Sequence, residues 1–246
     1  QAMWMAVPSA LAVALGLLFP SLGVVMFVVA AGWVVIATVT TRSAVRREYQ
    51  AAIRHLRKNE YDAAIAIMND LIRAEPKHAD HYRFRAELLR LAGKARKARA
   101  DYEKVVALTP ESGVGYNGLA EVLLQNGEYQ AALPYAEKAL ALEPREWVPA
   151  YNLGMIEDRL GRWADAVTHL RQALNAPVPD SRHRLLAHLW LARSAVNLDD
   201  RSAANAALDS LKKESAGLRE WARIFASEQA VVLRDVLGED VALAEK

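Results

Sequence analysis

Cysteine is absent from this 246-residue sequence, and charged residues are absent from its first 41 positions. Without cysteine the chain has no disulfide, no thiol nucleophile and no cysteine-ligated zinc or iron–sulfur site. The net charge is also small, with 31 Lys and Arg against 29 Asp and Glu, which argues against a nucleic-acid-binding protein with its usual basic face. Sequence motifs of metalloproteases, phosphate-binding loops, dinucleotide-binding sites and serine hydrolases are missing as well. We therefore expect a non-enzymatic protein with no cofactor, no small-molecule substrate and no nucleic-acid partner.

One group of potential metal ligands is compact in sequence. His78, Asp80 and His81 lie within four positions of each other. Three donors at the start of a helix are too few for a closed metal site, and the sequence indicates no fourth ligand. We expect no metal to bind there.

The uncharged segment 1–41 contains 30 apolar residues and is too long for the apolar core of a signal peptide. A bilayer core about 30 Å thick is crossed by roughly 20 helical residues. The length of the segment therefore predicts a membrane anchor of two transmembrane helices, 2–19 and 22–39, joined by a turn at Pro20. A single span over 22–41, preceded by an interfacial helix, is the alternative.

A basic juxtamembrane collar, residues 42–58, follows the uncharged segment. It contains six Lys and Arg residues and one acid, Glu48, a net charge of +5. Lys and Arg close to the end of a membrane span are retained on the cytoplasmic side. We expect the remainder of the chain to be cytoplasmic, with Arg42, Arg46 and Arg47 at the membrane surface, where they can contact anionic lipid headgroups of the bilayer.

The collar runs into a periodic region that begins at residue 45. Pro76, Pro110 and Pro144 are 34 residues apart, and each ends a run of helix-forming residues. This spacing predicts repeats of two helices each, at 45–78, 79–112, 113–146 and 147–180, with a degenerate fifth at 185–218. An amphipathic pattern over 217–237 predicts a capping helix on the last repeat, and 238–246 is interpreted as a tail.

Small residues recur at two positions in every repeat, where two helices of a pair would cross closely. The eighth positions are Ala52, Ala86, Ala120, Gly154 and Ala192, and the twentieth are Ala64, Ala98, Ala132, Ala166 and Ala204. A Gly or Asn precedes the second helix in four repeats, as in Gly161-Arg162-Trp163. With its 34-residue period, this pattern resembles the tetratricopeptide repeat (TPR) family. The resemblance implies an all-α solenoid of about five helix pairs after the membrane hairpin.

The resemblance also implies a concave groove lined by the first helix of each pair, which would bind a protein segment. The predicted groove residues are Tyr49, Arg83, Glu87, Arg90, Asn117, Glu121, Tyr151, Met155, Arg159 and Arg193, and Val114 and Val148 occupy equivalent positions. This mixed lining suits an extended or helical peptide of acidic and hydrophobic character. TPR domains that clamp a chaperone C-terminus use groove lysines with asparagines. No groove lysine accompanies Asn117 or Asn152, which argues against that subtype.

These features predict a membrane-anchored scaffold or adaptor that binds protein partners and supports the assembly of a membrane complex. The resemblance to membrane-anchored bacterial TPR proteins implies a multi-pass protein of the bacterial inner membrane. Two alternatives stay open. The hairpin itself could make the protein an accessory subunit of a respiratory, photosynthetic or transport complex, or the array could be a periplasmic factor similar to the TPR proteins of cytochrome maturation.

Overall fold

The computed structural model of the chain describes residue 10, residues 23–227 and residues 230–246. Within the described residues the protein is all-α, with twelve helices and no β-strand. The predicted first membrane helix, 2–19, lies outside the described residues except for its position 10. In chain order the helices are α1 Gly23–Arg57, α2 Tyr61–Ala74, α3 Ala79–Leu91, α4 Ala95–Leu108, α5 Gly113–Gln125, α6 Tyr129–Leu142, α7 Trp147–Arg159, α8 Trp163–Asn175, α9 Ser181–Asn197, α10 Arg201–Lys213, α11 Ser215–Phe225 and α12 Val231–Glu245.

The first described helix does not follow the predicted boundaries. The predicted second membrane helix, the basic collar and the first helix of the first repeat form one continuous helix, α1, of 35 residues. Between Gly32 and Arg57 there is neither glycine nor proline, so no residue of the segment interrupts the helix at Val39. Across the described residues, no helix has both the length and the hydropathy that crossing a membrane requires. The predicted transmembrane hairpin is therefore not supported.

The chain divides into two compact units, residues 1–81 and residues 82–246, with the division inside α3. In the first unit α1 packs against α2. In the second unit the pairs α5–α6, α7–α8 and α9–α10 form helical hairpins, and α4–α5, α6–α7 and α8–α9 connect them in series. This series of helix pairs is the arrangement that the 34-residue period predicts.

The turn inside each predicted pair has the same backbone geometry. One residue of each turn has a positive φ: Asn59 (61°), Gly93 (70°), Gly127 (73°), Gly161 (71°) and Asp199 (57°). A residue in this left-handed conformation ends a helix, and glycine adopts it without a steric penalty. The structure confirms all five turn positions, including those where asparagine or aspartate replaces glycine.

The ten small residues at the predicted crossing positions are all buried. Gly154 shows why larger side chains are excluded, because a Cβ atom there would lie 2.7 Å from Cγ of Leu170 on the partner helix. Close packing of α7 on α8 therefore depends on the absence of a side chain at this position. The inferred role of these positions in helix crossing is confirmed.

The C-terminal region differs from the prediction of one capping helix over 217–237 and a tail. Two helices are present, α11 and α12, and helical structure continues to Glu245. α11 packs against α9, and Trp221, 4% exposed, anchors it by donating its indole N–H to the carbonyl of Arg182. α12 does not extend this cap, since it contacts α5 and α9 as well as α11.

Candidate functional site

The predicted groove residues of the second unit, apart from the buried Tyr151 and Met155, fall into two groups. One group surrounds a pocket of about 560 Å³ built by α3, α4, α5 and α7. Arg83, Glu87 and Asn117, all predicted from the sequence, line this pocket. Its other lining residues are Tyr102, Val114, Gly118, Glu143, Glu146, Val148 and Pro149. We call it the N-terminal pocket.

The wall of the N-terminal pocket is mainly acidic. Three of its residues are glutamates and one, Arg83, is basic. Glu143 is held in place because it accepts hydrogen bonds from the backbone N–H of Gly113 (2.9 Å) and from the hydroxyl of Ser112 (3.3 Å). Glu146 is exposed to solvent. Apolar surface next to the carboxylates comes from Val114, which is 39% exposed, and from the neighbouring valine and proline of α7.

A polar network lies beside this pocket and fixes its charged side chains. Arg90 is paired with Glu87 (2.7 Å) and lies 3.8 Å from Glu121. Glu121 also accepts hydrogen bonds from the side-chain amides of Asn117 (2.9 Å) and Asn152 (3.2 Å). Arg90, Glu121 and Asn117 were predicted to face a ligand, but their main contacts are with one another. Their main role is therefore to hold the pocket wall in position, because most of their hydrogen-bonding groups are already used within the network.

The electrostatics of the network follow from its burial. Burial opposes the charge of Arg90, but Glu121 and Glu87 outweigh this effect and raise the pKa of the guanidinium group. Burial raises the pKa of Glu121, and the attraction of Arg90 offsets only part of that rise. Burial, followed by the charge of Glu87, raises the pKa of Tyr102, whose hydroxyl donates a hydrogen bond to Glu87. The tyrosine therefore remains a neutral donor.

The second group of predicted residues lies at the opposite end of the unit. Arg159 at the end of α7 and Arg193 on α9 both contact Asp158 and Asp240. Nη2 of Arg159 is 2.5 Å from Oδ2 of Asp240, and Nη1 of Arg193 is 2.8 Å from its Oδ1. The indole N–H of Trp190 donates to the same carboxylate at 2.6 Å. We call these five residues the arginine–aspartate cluster.

The arginine–aspartate cluster joins α12 to the first helices of the repeats. Asp240 belongs to α12, and Arg159 also donates to the backbone carbonyl of Val236 on that helix (3.3 Å). Burial alone would raise the pKa of Asp240, but hydrogen bonding and charge from Arg159, with help from Trp190 and Arg193, lower it below its ordinary value. The carboxylate is therefore ionised and strongly held. This end of the predicted groove is occupied by a helix of the same chain.

Tyr151 and Met155 do not line an open surface. They are 6% and 3% exposed and belong to the main hydrophobic core. The ring of Tyr151 lies between Trp147, His183 and Trp190, with centroid distances of 5.7, 5.3 and 5.1 Å. Burial raises the pKa of Tyr151 well above its ordinary value. Both residues were predicted to contact a ligand, but in this structure neighbouring helices cover them.

In the first unit, Tyr49 is the predicted groove residue. Its hydroxyl lies 2.8 Å from Nδ1 of His81, whose Nε2 lies 3.2 Å from Glu75. His81 is fully buried and its ring stacks on His78 at 4.3 Å. Burial, with repulsion from His78, lowers the pKa of His81. His81 is thus a packing residue, whereas His78 is exposed, and the described part of the chain contains no group of three His, Asp or Glu side chains that could hold a metal ion.

The predicted membrane-surface residues lie on α1. Arg46 and Arg47 are exposed to solvent. Arg42 lies on the same helix, about one turn earlier. The first repeat, predicted from residue 45, already places Arg46, Arg47 and Tyr49 on one helix, and the structure extends that helix back to Gly23.

The repeats match known sequence families. Two family models described as tetratricopeptide repeat match residues 49–113 and 111–177. Together they span more than half of the chain. The protein belongs to the tetratricopeptide repeat family. Its fold is thus that of a protein-interaction scaffold, and the family resemblance inferred from the 34-residue period is confirmed.

Among curated proteins, a DnaJ protein P58IPK homolog A from Oryza sativa subsp. japonica is 31% identical over 64 residues. This match covers 26% of the chain and only 13% of the rice protein. Among solved structures, PilW, described as a widely conserved type IV pilus biogenesis factor, superposes with a TM-score of 0.59 at 20% identity, covering 76% of this TPR protein and 85% of PilW. YrrB, described as a TPR protein with an unusual peptide-binding site, superposes with a TM-score of 0.54 at 19% identity, covering 69% of this chain and 85% of YrrB. At these identities the structures show a shared fold.

Proposed function

We propose that this TPR protein is a non-enzymatic scaffold that binds a segment of a partner protein in the N-terminal pocket. The observation that carries the proposal is the pocket itself, about 560 Å³ in volume and lined by residues from the first helices of three successive repeats. Concave surfaces built from successive repeats are the usual ligand-binding surfaces of solenoid proteins. The peptide-binding site named in the description of YrrB supports this assignment.

The lining defines the segment that fits. Glu87 is already paired with Arg90, but Glu143 and Glu146 still outnumber Arg83, and Val114 and Val148 add apolar surface. A segment with a lysine or arginine next to an apolar side chain complements this wall. The sequence alone suggested an acidic ligand for the whole groove. We assign basic character to the ligand of this pocket because the arginines of the second group are engaged elsewhere.

Positive charge introduced at the pocket rim tests the proposal. Glu146→Lys and Val114→Lys should each deplete the same set of co-purifying proteins in a quantitative affinity purification, since both add positive charge where the segment binds. Glu137→Lys is the matched control, because Glu137 is equally exposed but lies on α6, outside the pocket. Equal recovery of every partner with all three variants and the wild type would contradict the proposal.

We further propose that the scaffold is held at a membrane by its N-terminal region, with the repeats on the cytoplasmic side. The support is the absence of charge from residues 1–41 and the basic residues Arg42, Arg46 and Arg47 directly after it. The role would be recruitment of partners to a membrane complex, consistent with the biogenesis function named for PilW. A reporter that is active only in the periplasm, fused to the C-terminus, should be inactive. Activity of that reporter would instead favour a periplasmic factor.

A further inference from the structure

The arginine–aspartate cluster is balanced only when α12 is in place. Arg159 and Arg193 carry two positive charges, and Asp158, whose side chain is fully buried, supplies one negative charge. The second negative charge is Asp240 on α12, which lies 2.5 Å from one guanidinium group and 2.8 Å from the other. Trp190 donates its indole N–H to the same carboxylate. α12 therefore supplies the anion that this end of the groove requires.

Outside these contacts α12 is only partly buried, with Leu233, Val236, Val241 and Ala244 half-covered against the core. Leu237 and Asp240 are its buried residues, whereas Val231 and Leu243 are 51% and 48% exposed. Gly238 lies in the middle of the helix, where glycine is less favourable than alanine. A helix of 15 residues is marginal on its own in water, so α12 depends on its contacts with the repeats.

Departure of α12 would leave a defined vacancy. Both arginines are largely buried, with 18% and 27% of their side chains exposed, and only Asp158 would remain to neutralise them. The indole N–H of Trp190 would lose its acceptor. An unpaired buried charge and an unsatisfied buried donor are both unfavourable, so the vacancy favours another carboxylate in the same position. Apolar surface that Leu237 covers would favour an apolar side chain one helical turn away.

We propose that this end of the groove is a binding site for an acidic amphipathic helix of a partner protein, and that α12 is its internal occupant, which such a helix displaces. The partner helix would carry an Asp or Glu three residues after a leucine-like side chain, the spacing of Leu237 and Asp240. The proposal rests on the proposed function in one respect, that the concave surface of the repeats is where partners bind. It adds a second site whose ligand is opposite in charge to that of the N-terminal pocket.

A peptide titration on the full chain tests the displacement. The probe is a fluorescent synthetic peptide with the sequence of residues 230–246, followed by anisotropy. Asp240→Asn removes the charge from the internal helix while preserving its shape, so the site should open more often. If α12 is docked for most of the time, releasing it should tighten probe binding by roughly tenfold or more. Asp235→Asn, which neutralises an exposed carboxylate of α12, should bind the probe as the wild type does.

Two further variants separate displacement from a general loosening of the fold. Gly238→Ala should weaken probe binding, because it strengthens the internal helix without touching the cluster. Adding Arg193→Gln to Asp240→Asn should abolish the gain, because the probe carboxylate loses a cation. Equal probe affinity of the wild type, Asp240→Asn and Gly238→Ala would overturn the proposal, as would absence of probe binding to Asp240→Asn.

The outcomes also separate this proposal from the proposed function. Failure of the proposed function appears in the affinity purification, as no loss of partners from Glu146→Lys or Val114→Lys. Failure of the displacement proposal appears in the probe titration, which requires no cellular partner. Each result can therefore contradict its own proposal alone.

Discussion

Substitution of Gly118 by alanine tests how tightly the repeats are packed beneath the N-terminal pocket. A Cβ atom at this position would lie 2.2–2.5 Å from three ring carbons of Tyr102, far inside van der Waals contact. The ring is 1% exposed and its hydroxyl is bonded to Glu87, so it cannot move without disturbing that contact. The substitution therefore acts on both the core and the pocket wall.

The magnitude follows from three effects. Overpacking of a dense core destabilises by about 1–3 kcal/mol. Loss of the tyrosine–glutamate hydrogen bond adds about 1 kcal/mol. Alanine is a better helix former than glycine by about 0.5–1 kcal/mol, which offsets part of this. We expect Gly118→Ala to lower the free energy of unfolding by about 1–3 kcal/mol, measured by urea unfolding with circular dichroism.

Gly238→Ala is the matched control for that experiment. Gly238 also lies inside a helix, but no atom comes within 4 Å of a Cβ added there. Only the gain in helix propensity remains, so this variant should be as stable as the wild type or more stable by up to about 1 kcal/mol. If Gly118→Ala matches Gly238→Ala in stability, the packing of Tyr102 against α5 is not as the structure has it.

Three other substitutions give independent predictions. Asp101→Asn should destabilise by about 2 kcal/mol in urea unfolding, because Asp101 is 6% exposed and binds Arg85 through both oxygens, at 2.7 and 2.6 Å. Gly127→Ala should destabilise by about 1–2 kcal/mol, because its φ of 73° is unfavourable for alanine although the space around it is open; equal stability would refute this. Burial lowers the pKa of His188 below 6.5, so its contribution to stability is present above pH 6.5 and is lost as the pH falls through the folded-state pKa. The urea concentration at the unfolding midpoint should decrease as the pH is lowered from about 7 to about 5. The decrease should be smaller in His188→Gln.

The periodic features of the fold could be predicted from the sequence because they depend on short-range chemistry. A 34-residue period fixes where helices cross, and at a crossing such as Ala98 or Ala166 a small side chain is required by contact distance. A left-handed turn residue is likewise identified by glycine or asparagine, as at Gly93 and Asn59. Each repeat supplies the same evidence again, so the register was well determined.

The C-terminal helix was missed because its contacts are with residues distant in sequence. Leu233, Leu237 and Val241 are four residues apart, a helical spacing that continues beyond position 237. The arginines that Asp240 contacts could not be predicted from the sequence. Asp240 contacts Arg193, 47 positions earlier in the sequence, and Arg159, 81 positions earlier. No local sequence pattern specifies which arginine a carboxylate contacts.

The groove residues show the same limit. The family pattern assigned Tyr151 and Met155 to an open surface, but whether a concave position is open depends on what packs over it. Arg83, Glu87 and Asn117 did come together around one pocket, because neighbouring repeats present the same helical positions side by side. Arg159 and Arg193 also lie together, but both are paired with Asp240 of the same chain.

Hydrogen–deuterium exchange on the 246-residue chain tests the central claim, that the second half of the groove holds either α12 or a partner helix. The amides of residues 231–245 are followed with and without a saturating amount of the isotope-labelled peptide of sequence 230–246. The account predicts faster exchange across residues 231–245 of the protein when the peptide is bound, while α7 and α9 remain protected, because the internal helix is displaced from an intact site. Unchanged or slower exchange of residues 231–245 with the peptide bound would contradict it.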